Sequence, residues 1–114
     1  MSQNIDVSVE KKGDVFILAI TGDLTATTGE TVEEVYQKVN LDEAKKILIS
    51  FRGDNYINSA GIAVLISITA ESRERQQSIR ITGLSPHFRK IFDMVGLTKY
   101  VAVFPSEEAA LENF

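Results

Sequence analysis

The chain has 114 residues, 44% hydrophobic and 25% charged, a globular composition whose length suits one domain over residues 1–114. A formal net charge of −4 offers no field to a phosphate backbone and argues against nucleic acid, while the lack of cysteine removes disulfides, thiolate metal sites and a cysteine nucleophile. The longest apolar runs, Val15–Ile20 and Ala60–Ile66, fall far short of the roughly 20 residues that span a bilayer, and the opening Met-Ser-Gln-Asn-Ile-Asp lacks the regions of a signal peptide, so the expectation is a cytoplasmic protein with no direct membrane insertion.

Ile5, Val7 and Val9 alternate with Asp6, Ser8 and Glu10, the period-two pattern of a half-buried strand, and Lys11-Lys12-Gly13-Asp14 makes a turn. Val15–Thr21 is apolar almost throughout, which predicts a strand inside the sheet, paired with the first as a hairpin. Gly22-Asp23-Leu24-Thr25 breaks it. A helix then opens at Thr27, Thr28 or Gly29, and Val32, Val35, Tyr36 and Val39 share its apolar face. After the polar connection Asn40–Ala44, Lys46–Phe51 is a second buried strand, parallel to the first through a right-handed crossover.

The stretch around which the chain is organised is Gly53–Ser67, a short polar loop that runs into the most apolar helix. At the junction, Asn58 or Ser59 can cap the helix by accepting a bond from one of its free N–H groups. A hydroxyl in the first turn also lies at the positive end of the macrodipole, which makes Ser59 a candidate phosphorylation site whose modification need not unfold the helix. On local chemistry alone the cap reading outweighs the modified one. Ile62, Leu65, Ile66 and Thr69 mark one stripe of the helix and Gly61, Val64 and Ile68 another, wider than one sheet-facing side requires. The helix is therefore either wedged deep in the core or exposed over its first two turns as a docking surface. Its end, Glu71–Gln77, alternates in sign as a solvated face does.

Ile79–Thr82 is a short strand, followed by a helix with Ser85 as N-cap, Pro86 at its first position, Phe88, Ile91 and Phe92 on its apolar face and Gly96 at its end. Tyr100–Phe104 reads as an edge strand, and Ser106–Leu111 as a capped helix with acidic residues in its first turn.

The inventory for catalysis is thin, and no catalytic residue, metal ligand or cofactor is assigned. His87 is the only histidine and reads as a surface residue; Ser59 is not in a Gly-x-Ser-x-Gly elbow, and Gly53, Gly61 and Gly83 have neither spacing of a phosphate-binding glycine loop.

Three stretches carry a family resemblance that covers essentially the whole chain. Asn58-Ser59-Ala60-Gly61-Ile62 resembles the Asp-Ser-(Ser/Thr)-Gly-(Leu/Ile) signature of STAS domains, the family of anti-sigma-factor antagonists; Gly22-Asp23-Leu24-Thr25 resembles its Gly-(Glu/Asp)-(Leu/Ile)-Asp; and Ser85–Leu97 resembles its Ser-Pro-x-(Val/Phe)-x-x-(Leu/Ile)-Phe-x-x-x-Gly-Leu. The resemblance implies an α/β fold with a mixed sheet of about four to five strands and helices mainly on one face. It also implies a partner-switching role, with Ser59 phosphorylated by a cognate kinase. The implied partners are a serine kinase that is also the anti-sigma factor, of the histidine-kinase-like ATPase class, and a metal-dependent serine phosphatase; ATP belongs to the kinase. The implied docking surface comprises Asp23, Leu24, Thr25, Tyr56, Ile57, Asn58, Ser59, Ala60, Gly61, Ile62, Leu65 and Ile66. The chain departs from the family pattern at Asn58 and Thr25, both aspartate in the family, which removes negative charge beside the proposed phosphosite. A constitutive scaffold or an accessory subunit of a stress-sensing or membrane-transport complex, with Ser59 only a cap, is the alternative; a hydrolase using Ser59 is a third.

Overall fold

The computed structural model describes residues 5–114; the opening tetrapeptide, part of the stretch searched for a targeting signal, lies outside them. Five strands form one sheet in chain order: β1 (Ile5–Lys12), β2 (Val15–Gly22), β3 (Lys46–Arg52), β4 (Ser78–Thr82) and β5 (Ala102–Phe104). The first two make an antiparallel hairpin, and every later pair is parallel. Parallel neighbours need a long crossover. Those crossovers are α1 (Ala26–Leu41), α2 (Ser59–Glu74) and α3 (Pro86–Met94), the last followed by a 3-10 turn at Leu97–Lys99, and the chain ends with α4 (Glu107–Leu111).

The mixed α/β architecture is the one expected, and the period-two rule explains where the helices sit. Phe16, Leu18 and Ile20 of β2, with Ile47, Ile49 and Phe51 of β3, join Val32, Tyr36, Leu65, Ile68, Phe88 and Phe92 in the main core. Val15, Ile17 and Leu48 point to the other face and meet Ala110, with Phe104, Leu111 and Phe114 packed around them. Strands β2 and β3 are thus covered on both sides, which is why they read as unbroken apolar runs. In β1 only one side is covered: Ile5 and Val7 lean on the main core while Asp6 and Ser8 are exposed.

Some boundaries differ from the sequence reading. Helix α1 starts at Ala26, because extended Thr25 (φ −135°, ψ −174°) is the cap and its N–H donates to Thr28 Oγ1 at 2.8 Å. Strand β5 begins at Ala102 rather than Tyr100, since the chain is still leaving the 3-10 turn through the Tyr100 and Val101 N–H bonds to the Leu97 carbonyl. No helix among the described residues is long and apolar enough to cross a membrane.

The second face is closed by charge as well as by apolar contact. Arg52, at the end of β3, donates to Glu10 Oε2 at 2.7 Å and Glu107 Oε2 at 2.8 Å, and Ser50 Oγ also donates to Glu107. Arg80 donates to the carbonyls of Ala110, in the last turn of α4, and of Glu112 and Asn113 beyond it, with its guanidinium over the Phe104 and Phe114 rings. A five-residue helix too short to stand alone is thereby tied at both ends.

Hydrogen bonds from Arg52, then from Ser50, hold the Glu107 carboxyl below its ordinary value of 4.5, and the same guanidinium lowers Glu10. A depressed folded pKa means that the stability contributed is present above 4.5 and is lost as pH falls through the lower folded value. Thermal unfolding of the wild type and Glu107→Gln between about pH 3 and pH 7 should therefore show a lower midpoint for the variant near neutrality and a shallower fall on the acid side. Parallel acid limbs would remove Glu107 as a source of the pH dependence.

Candidate functional site

At the carboxyl end of β3 the chain turns through Gly53–Ile57 and enters α2. Asn58 is extended (φ −90°, ψ −177°), its Oδ1 accepts the Gly61 N–H at 2.9 Å, and its carbonyl takes the first helical bond from Ile62 N at 2.9 Å. The cap is therefore Asn58, and Ser59 is the first helical residue. This settles the choice between them. Ser59 is exposed, and among the described residues its hydroxyl has no hydrogen-bond partner, a base included. The first-turn N–H groups of Ser59 and Ala60 likewise meet no acceptor there, so donors and the positive end of the helix surround that hydroxyl.

The loop after β2 is bolted alongside. Leu24 N donates to the Tyr56 carbonyl at 2.8 Å and Asn58 N donates to the Leu24 carbonyl at 3.2 Å, so Leu24 and Ile57 form a one-residue parallel bridge beyond the sheet. Asp23 Oδ1 accepts the Tyr56 N–H at 3.1 Å, and Asn55 Nδ2 donates to the Gly22 carbonyl at 2.8 Å. Thr28 Oγ1 donates to the Asp23 carbonyl at 2.7 Å and joins this loop to the start of α1. Gly61 is required by the approach: a Cβ there would collide with the Leu24 carbonyl.

The two loops and the helix start predicted to act together are brought together, but not every predicted residue reaches the surface. Leu24 at 0%, Ile57 at 3% and Leu65 at 1% exposure are core residues, and Gly61 is buried against Leu24. These four are corrected from docking residues to supports. The bridge directs Leu24 and Ile57 inward, and the helical period puts Leu65 on the stripe with Gly61, Ile68, Thr69 and Ser72 that faces the core. What remains outward is Ser59, Tyr56 at 57% and Ile66 at 44% exposure, with Asp23, Thr25, Asn58, Ala60 and Ile62 partly exposed. One side of α2 is thus wedged into the core and the other is exposed.

Tyr56 stands edge-on to Phe88, ring centroids 6.2 Å apart, so α3 props the exposed ring from below. Ser85 Oγ accepts the Phe88 N–H at 3.3 Å and thereby sets the start of that helix. His87 is exposed with its ring against Phe88. Sequence reasoning passed over the roles of Asn55 and Thr28. The available signal was their chemistry, since Asn in a turn and Thr beside a cap both tend to bond nearby backbone.

The STAS domain model matches residues 6–110. BtrV of Bordetella bronchiseptica, a candidate anti-sigma factor antagonist, is 28% identical over 109 residues, covering 95% of this chain and 93% of that protein. An anti-sigma factor antagonist from Mycobacterium paratuberculosis superposes with a TM-score of 0.81 at 19% identity, covering 94% of this chain and 91% of that one. Bacillus SpoIIAA, solved in its phosphorylated form, gives 0.66 at 18% identity over 92% and 96% of the two chains. At these identities the solved structures testify to the fold.

The cap and the close approach are separately testable by thermal unfolding. Asn58→Ala should cost about 1 kcal/mol and Asn58→Asp far less, since either oxygen can take the Gly61 N–H. Gly61→Ala should cost about 1–3 kcal/mol through the collision with Leu24. An Asn58→Ala variant as stable as the wild type would show that the cap bond is not formed.

Proposed function

The chain belongs to the STAS domain family, and from that membership and its free Ser59 hydroxyl we propose that it is a partner-switching regulator of the anti-sigma-factor-antagonist kind. The unphosphorylated protein binds a serine kinase that doubles as an anti-sigma factor, of the histidine-kinase-like ATPase class. The contact runs over Asp23, Thr25, Tyr56, Asn58, Ser59, Ala60, Ile62 and Ile66. The kinase transfers the γ-phosphoryl group of its ATP to Ser59 Oγ, releasing ADP, and the modified protein dissociates. A metal-dependent phosphatase restores the hydroxyl by hydrolysis.

The observation that carries this reading is the division of labour between Asn58 and Ser59. Since Asn58 makes the cap bond, the serine oxygen is left accessible at the lip of an apolar surface. Phosphorylation there adds about −1.5 to −2 charges next to unpaired N–H groups, where a surface helix terminus favours negative charge by about 0.3–1 kcal/mol. Neither family position that holds aspartate is acidic here, which removes two sources of repulsion, and asparagine caps as well as aspartate does. In a desolvated interface with no cation opposite, the same dianion costs several kcal/mol, and each ~1.4 kcal/mol is about tenfold in affinity. Recognition before modification falls to the exposed apolar groups. Tyr56, rigid and held edge-on by Phe88, has the features of an interface anchor.

Ser59→Ala and Ser59→Asp should both fold and melt like the wild type. In pull-downs from the native cell extract, Ser59→Ala should retain an ATP-binding kinase and Ser59→Asp should lose it, with intact-mass analysis showing one added phosphate on the wild type alone. Retention of the same partners by both variants would identify a constitutive scaffold instead. Tyr56→Ala should weaken kinase binding by about tenfold or more without altering unfolding.

A further inference from the structure

The sheet ends at β5, whose strand partner among the described residues is β4 alone, so its outer edge is open. Along that edge runs an open groove of about 570 Å³ between α3 and β5. Buried Val101 and half-buried Val103 supply an apolar floor, Ala102 is exposed on the strand, and Arg89 and Lys90 stand on the α3 side. Both cations are exposed, and among the described residues neither pairs with a carboxylate. The one acid of the groove, Asp93, is occupied in part by the Thr98 hydroxyl, which donates to it at 2.7 Å. On a chain of net charge −4, two adjacent unpaired cations beside an open strand edge form a local surface of opposite sign to the whole.

We propose that this groove takes an acidic, extended segment of a partner protein, which adds as a strand to the outer edge of β5 while its carboxylates meet Arg89 and Lys90. Main-chain bonds to the free edge give such a segment its hold, and every second side chain, on the face toward α3, reaches Arg89 and Lys90. A nucleic acid could use the cations but not the strand edge. The groove shares no lining residue with the surface around Ser59, so this proposal stands independently of the kinase reading.

The test is a titration of isotope-labelled full chain with an alternating valine–glutamate octapeptide, its valine–lysine counterpart and a thymidine oligonucleotide, following amide exchange at Ala102, Val103 and Phe104. The valine–glutamate peptide alone should slow exchange within β5. Arg89→Glu combined with Lys90→Glu should weaken it about five- to tenfold, as expected for two exposed charge pairs, with the melting temperature unchanged. Ser59→Asp should bind the peptide as the wild type does. Unchanged β5 exchange at millimolar peptide, equal protection by the lysine peptide, or tighter binding of the oligonucleotide would each overturn the proposal.

Discussion

The interaction on which the site depends is the pair of main-chain bonds that Leu24 makes with Tyr56 and Asn58. Leu24 leaves β2 with its side chain fully buried, and its N–H and carbonyl pair with the loop that leaves β3. Two loops from neighbouring parallel strands thus become a short continuation of the sheet, and their relative height is fixed to within a hydrogen bond. The glycine at position 61 lets the carbonyl of Leu24 come in under the first turn of α2. A larger residue would push the helix off the loop and take the hydroxyl of Ser59 with it.

Around this bridge the polar side chains act chiefly on backbone. Asp23 takes an N–H, Asn55 and Thr28 donate to carbonyls, and Asn58 takes an N–H of the first turn. Buried or half-buried backbone groups at the ends of strands must find partners, and here each loop supplies those of the other. The serine is left out of the network. The consequence is that its hydroxyl can be changed without breaking any bond that holds the loops.

Much of the fold was legible because its signals are strong. The apolar runs of β2 and β3 come from burial on two faces, and Ser85-Pro86 with Gly96 brackets α3 by capping chemistry alone. The site was legible in part. Periodicity on α2 yields a stripe wider than one face, and sequence cannot say which edge of that stripe points out. Leu65 and Ile66 are adjacent in the chain and nearly equal in hydropathy, yet one is in the core and the other is 44% exposed. The difference comes from the position of Gly61, which sets the rotation of the helix on Leu24, a tertiary contact. The start of α1 was missed although its signal is local: the Thr25 N–H donates to Thr28 Oγ1, a capping box with threonine in place of the usual glutamate or glutamine.

The two faces of the sheet divide the work of holding that geometry. On the main-core side, Leu24, Ile57 and Leu65 pack beneath the loops, and Phe88 reaches up to Tyr56. On the opposite side, Arg52 is the last residue of β3, immediately before Gly53 turns with φ +77° into the site loop. Its guanidinium is held by Glu10 from β1 and Glu107 from α4. The strand end from which the loop departs is thus pinned from elements at both ends of the chain. Partly exposed ion pairs of this kind contribute only modestly to global stability. Their effect is on position: with β3 fixed at Arg52, β2 fixed by its register with β3, and Leu24 bonded across, the first turn of α2 has little freedom left. On the proposed reading, a phosphate added there would meet a first turn already held in place, and its charge would act on a docked partner rather than on the fold.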